Sequence, residues 1–66
     1  MYSRSGCHLC EEMAAQLRAA GVPFDEVDVD SDVQLRVKYG RDVPVLLYDG
    51  RVLKHRLSPE DIAKLR

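Results

Sequence analysis

The stretch VPVLLYDGRVL, residues 43–53, constrains the fold of this chain more than any other. Two apolar runs, Val45 to Tyr48 and Val52 to Leu53, flank Asp49-Gly50. An Asp-Gly pair between such runs marks a two-residue hairpin, because a tight primed turn needs positive φ and glycine supplies it at little cost. Two antiparallel strands are therefore fixed in mutual register, and the rest of the chain must cover them.

Three helices are predicted around this hairpin. From His8 to Ala20 every residue tolerates a helix, and Leu9, Met13 and Leu17 recur every four residues, with Gly21 as the stop. In SDVQLRVKYG, Val33, Val37 and Leu35 suggest a two-turn amphipathic helix. Ser31 or Asp32 would cap it and Gly40 would end it. In LSPEDIAKLR, Ser58 suits the cap, Pro59 the first helical position, and Ile62 and Leu65 the buried face. Between the first two helices, Val27 and Val29 alternate with Asp28 and Asp30. That period of two predicts a strand with one solvated face and a kinked approach near Asp25. Strand–helix–strand followed by a hairpin and a closing helix is an α/β arrangement on a mixed sheet.

The chain has 66 residues, enough for one domain, residues 1–66, with a marginal core that buries about 60% of the unfolded surface. Ten basic and eleven acidic residues leave a net charge of −1, which gives no electrostatic footprint for nucleic acid or an anionic membrane. No apolar run approaches the roughly 20 residues of a membrane span, and no signal peptide is visible, so a cytoplasmic location is expected.

Cys7 and Cys10 are the only cysteines, spaced as C-x-x-C in SGCHLC, residues 5–10. Two readings compete. In the first, the pair is redox-active. A helix start carries free N–H groups and about half a positive charge, which favours a thiolate on Cys7. Cys10, one turn on, is placed to attack a mixed disulfide on Cys7. His8, if protonated, would favour that thiolate further; otherwise it is a solvated residue of the first turn. In the second reading the thiolates hold Cu(I) or zinc. Structural zinc needs two further ligands, and His8 and His55 are the only other candidates besides carboxylates. No bound metal is expected.

YSRSGCHLC resembles the active-site segment of glutaredoxins, VPV at 43–45 resembles the Val-Pro step of the thioredoxin superfamily, and DGRVL resembles the hairpin after it. The likeness covers nearly the whole chain. It implies a thioredoxin-like, three-layer α/β/α fold on a four-stranded mixed sheet, and a thiol-disulfide oxidoreductase with Cys7 as nucleophile and Cys10 as resolving thiol. Pro44 would be a cis-proline facing the cysteines, leaving the Val43 backbone to pair with substrate. Arg4 would contact a glutathione carboxylate, and His8 would join these residues on the substrate surface. Copper carriers of similar length usually place Met where this chain has Ser5, and lack the Val-Pro step.

Two departures from the family follow. Glutathione-using glutaredoxins carry a Gly-Gly pair after the hairpin, and Lys54-His55 stands there instead. The expected partner is therefore a disulfide-containing protein or a thiol donor, with no cofactor required and glutathione disfavoured. Lys54, His55 and Arg56 would meet an acidic partner or remain a solvated turn. Only Met1 to Ser3 are left for the central first strand, against a usual length of about five residues. That predicts either an N-terminus trimmed relative to relatives, or a homodimer in which a second copy completes the sheet; otherwise the chain is a monomer.

Overall fold

The computed structural model describes residues 1–65. Among them the chain forms β1 (Tyr2–Ser3), α1 (His8–Ala19), β2 (Val27–Asp28), a 3-10 turn (Val29–Ser31), α2 (Val33–Tyr39), β3 (Val45–Tyr48), β4 (Arg51–Lys54) and α3 (Pro59–Leu65). The strands make one mixed sheet in the order β2-β1-β3-β4. β1 pairs parallel with β2 and antiparallel with β3, and β3 pairs antiparallel with β4. The expected mixed four-stranded sheet is present, with β1 at its centre and only two residues long.

The hairpin forms as the sequence requires. Tyr48 faces Arg51 across the turn, and Asp49 and Gly50 have φ of 48° and 77°. Two consecutive left-handed residues give the primed turn whose twist matches the strands.

Side-chain alternation sorts the helices into two layers. Leu46 joins Met1, Met13, Ala14, Leu17, Val22, Leu57 and Leu65 in one apolar cluster, so α1 and α3 cover that face. Tyr2 pairs with Val45 on the opposite face, where the Tyr2 ring stacks on Tyr39 of α2 at 4.5 Å. The sheet thus lies between α1 and α3 on one side and α2 on the other. Met13 and Leu17 are fully buried, each worth about 1.5–3 kcal/mol of transfer free energy.

Three sequence expectations need correction. The buried face of α1 is Cys10, Met13, Ala14 and Leu17, while Leu9 is only half-buried. That is the i, i+3, i+4, i+7 face of a helix, turned to place Cys10 inside. The second strand ends at Asp28 rather than running through Val29 and Asp30. The Asp28 carboxylate accepts the Asp30 N–H at 2.9 Å, and the Ser31 hydroxyl donates to the Asp28 carbonyl. These local bonds compete with the ladder and bend the chain into the 3-10 turn. Finally, α2 forms with Asp32 as its cap, but Val33 and Val37 are 65% and 83% exposed, and none of its residues is fully buried. It is held through Tyr39 and its ends instead of an apolar stripe.

At α3 the caps are reciprocal. The Asp61 N–H donates to the Ser58 hydroxyl at 3.1 Å, and the Ser58 N–H donates to the Asp61 carboxylate at 3.0 Å. These bonds hold the Asp61 carboxyl below its ordinary range. Ser58→Ala is expected to cost about 1 kcal/mol in urea melts and to raise the Asp61 pKa measured by NMR.

Candidate active site

The cysteines sit where β1 hands over to α1. Gly6 takes a φ of 75°, which lets the chain reverse, and the Cys7 N–H closes the turn onto the Arg4 carbonyl at 3.2 Å. Cys7 is the N-cap of α1, with extended backbone and a sulfur that accepts the Cys10 N–H at 3.3 Å. A cap position is usually filled by a side-chain oxygen. Here a sulfur takes that place, where unpaired N–H groups and the helix dipole favour negative charge.

The two thiols differ. Both are free, Cys7 half-buried and Cys10 buried. The Cys10 thiol is pushed up to about 11 from 9.0. Burial is the main cause, followed by its hydrogen bond with Cys7, and the Cys7 and Glu26 charges add to it; a hydrogen bond from the Arg4 backbone opposes them. At neutral pH Cys10 therefore carries its proton. Because the folded protein holds that proton to higher pH than the unfolded chain, Cys10 stabilises the fold below pH 9. That contribution is lost as pH rises towards 11. Urea melts of the reduced protein between those limits should show falling stability, and Cys10→Ala should flatten the Cys10 part of the decline.

The other expected site residues fall into two groups. The Val43-Pro44 bond is cis, Pro44 is buried and Val43 half-buried. Tyr2 pairs with Val45 in antiparallel register, so Pro44 and Val43 run alongside Ser3 and Arg4, at the end of β1 that leads to Cys7. Arg4 instead turns to Asp30. Its Nε and Nη2 meet the two carboxylate oxygens at 3.0 and 3.1 Å. His8 is 81% exposed in its side chain and lies 3.1 Å from Glu12, whose other oxygen holds Arg56 at 3.1 Å.

The basic cluster after β4 is mostly neutralised: Lys54 pairs with Asp42 at 3.4 Å and Arg56 with Glu12. His55 has a φ of 66°, the left-handed conformation glycine favours. An open groove of about 500 Å³ flanks the Cys10 side, lined by Ser3, Arg4, Gly6, Cys10, Glu11 and Glu26 among others. Among the described residues no three His, Cys, Asp or Glu side chains gather to hold a metal ion, and no helix is long and apolar enough to cross a membrane.

Sequence reading missed Asp30, Glu12 and Gly40 as parts of this surround. Asp30 is 26 residues from Arg4 and Glu12 is 44 from Arg56, so only the packing reveals those pairs, whereas the His8–Glu12 pair has ordinary i,i+4 helix spacing.

A C-x-x-C at a helix start, on a four-stranded mixed sheet with a cis-proline on the adjoining strand, defines a thioredoxin-like α/β protein. The chain belongs to the glutaredoxin-like domain family: the model described as "Glutaredoxin-like domain (DUF836)" matches residues 1–65. Among curated proteins it is 43% identical over 51 residues to the N-acetyl-S-hydroxy-L-cysteine reductase of Bacillus subtilis, covering 70% of this chain and 55% of that protein. It therefore spans about half the length of that relative. It is 35% identical over 79 aligned positions to an uncharacterised protein of Mycobacterium tuberculosis, covering 97% of this chain and 80% of that one. The Gene 56 protein of Mycobacterium phage L5 is 39% identical over 54 residues, covering 74% and 52%. No solved structure matches significantly. Family membership and a relative named as a reductase support a thiol redox role.

Proposed function

We propose that this protein reduces oxidised sulfur through a Cys7/Cys10 dithiol cycle. The observation that carries the reading is the inequality of the two thiols: Cys7 caps α1 and reaches solvent, while Cys10 is buried and keeps its proton up to about 11. Cys7 attacks one sulfur of a substrate disulfide. A Cys7–substrate bond forms, the substrate bond breaks, and the first thiolate leaves and takes a proton. Cys10 then loses its proton and attacks the Cys7 sulfur. The Cys7–Cys10 bond forms, the second substrate thiol leaves, and an external dithiol reduces the protein disulfide. Val43 and Pro44 flank the mixed disulfide, and a protein disulfide is the expected substrate. No resident cofactor enters the cycle.

A second substrate class is favoured by the Bacillus subtilis relative, whose name specifies an S-hydroxycysteine, a sulfenic acid. Here the Cys7 thiolate attacks the sulfenic sulfur and water leaves, giving the same mixed disulfide. The second half of the cycle is unchanged.

The test is a single turnover. Reduced protein, freed of reductant, is mixed with excess bis(2-hydroxyethyl) disulfide. Release of two 2-mercaptoethanol molecules per chain, with oxidation of both cysteines, is the expected result. No thiol release, with both cysteines still reduced, would refute the cycle.

A further inference from the structure

Arg4 holds the cysteine pair through its backbone. Its carbonyl accepts the Cys7 N–H at 3.2 Å, and its backbone favours negative charge on the Cys10 sulfur. Its side chain, meanwhile, leaves the site. The guanidinium makes a two-point fork with Asp30 in the 3-10 turn after β2. Such a fork fixes orientation as well as charge.

Gly40, at the end of α2, lies beside this fork. Its φ is −56°, ordinary helical backbone, so it is not glycine for the sake of a left-handed turn. A Cβ at this position would lie 2.9 Å from the Arg4 Nη2 and would overlap the Arg36 carbonyl. The backbone contact alone calls for glycine here, and the absent side chain leaves the Arg4 guanidinium room over the end of α2. Two residues before Arg4, Tyr2 stacks on Tyr39, the neighbour of Gly40. The turn that carries Cys7 is thereby tied to the far side of the sheet at two points.

We propose that Arg4 is a positioning residue: its fork to Asp30 fixes the turn that sets the Cys10 sulfur against Cys7, and it does not anchor a substrate carboxylate. The inference rests on the dithiol cycle above. Its demand falls on the second step, in which the Cys10 sulfur, its proton passed to water, attacks Cys7 and expels the substrate thiolate. The Arg4 backbone supports the charge on Cys10 at that moment, provided the turn is held.

The test compares Arg4→Gln, Arg4→Lys and Asp30→Asn on two disulfides, N,N′-diacetyl-L-cystine with two carboxylates and bis(2-hydroxyethyl) disulfide with none. A positioning role predicts that kcat falls about tenfold on both substrates in all three variants, as a small misplacement does, with KM falling in step and kcat/KM within about twofold, because the slowed step follows formation of the mixed disulfide. It also predicts that the Cys7 mixed disulfide accumulates, and that the pH profile of Cys10 alkylation moves upward. Should Arg4→Gln not fold, Arg4→Lys, which keeps the charge and loses the fork, carries the comparison.

A substrate anchor gives the opposite pattern. KM for N,N′-diacetyl-L-cystine alone rises in Arg4→Gln, while Asp30→Asn, which frees the guanidinium, lowers it at unchanged kcat. That result, or unchanged kcat in all three variants, overturns the proposal. Failure of the dithiol cycle itself would appear separately, as an unmutated protein that releases no thiol.

Discussion

Cys7→Ser reduces disulfide turnover to the rate of the reductant alone. The loss is chemical, because the fold has no reason to suffer. Cys7 is the N-cap of α1 and its sulfur accepts the Cys10 N–H. Serine is among the best N-cap residues, since its oxygen accepts the same bond at a better distance. The variant should therefore melt at the same temperature as the parent or slightly above. What it loses is the half-buried sulfur at the helix start, the more accessible of the two, and a serine hydroxyl neither forms nor exchanges disulfides. Cys10 cannot substitute, being buried and holding its proton up to about 11. Equal melts with activity at background separate a lost nucleophile from a lost structure.

Leu17→Ala has the largest expected effect on stability. Leu17 is 0% exposed and shares one cluster with Met13 of α1, Val22 and the α3 residue Leu65. Removing a buried leucine side chain typically costs 2–5 kcal/mol, the lost transfer energy plus the cavity left behind. A domain of 66 residues has only about 3–10 kcal/mol in total. The substitution should lower Tm by roughly 10 °C or more and leave a measurable unfolded fraction at 37 °C. Val37→Ala is the control. Val37 is 83% exposed, so its loss should stay within about 0.5 kcal/mol despite the same apolar chemistry.

The contrast between these two apolar residues shows how far the sequence could be read. The hairpin, the cap at Ser58 and the start of α1 were legible because each rests on local chemistry. Asp49-Gly50 needs positive φ, Ser58 and Asp61 bond reciprocally, and Gly6 reverses the chain before Cys7. Val33 and Val37 were not legible. Their spacing suggests a buried stripe, but α2 is anchored by its terminal Tyr39 against Tyr2, and the stripe faces solvent. The β2 pattern misled for a similar reason: alternation of Val and Asp describes a strand equally well as a strand ending in a capped turn, and the Asp28 side chain decides for the turn.

At the site, the start of α1 at the cysteines was legible from the motif, and the cis Val43-Pro44 bond from the resemblance. Arg4 was recognisable but its partner was not. A pair 26 residues apart in sequence depends on how the 3-10 turn and the end of α2 fold over the β1–α1 turn. The helix start set Cys7 apart from Cys10 in the sequence; the burial of Cys10 was not legible, because it follows from the rotation of α1 that puts Cys10 on the same face as Met13 and Ala14.

The most direct test of the account is trapping. Cys10→Ser is incubated with bis(2-hydroxyethyl) disulfide, quenched with acid, and analysed by intact mass and peptide mapping. The account predicts a stable adduct of one 2-mercaptoethanol on Cys7, which the unmutated protein resolves to a Cys7–Cys10 disulfide. An unmodified Cys7, or an adduct that clears as fast in Cys10→Ser as in the parent, would contradict a cycle in which Cys7 attacks and Cys10 resolves.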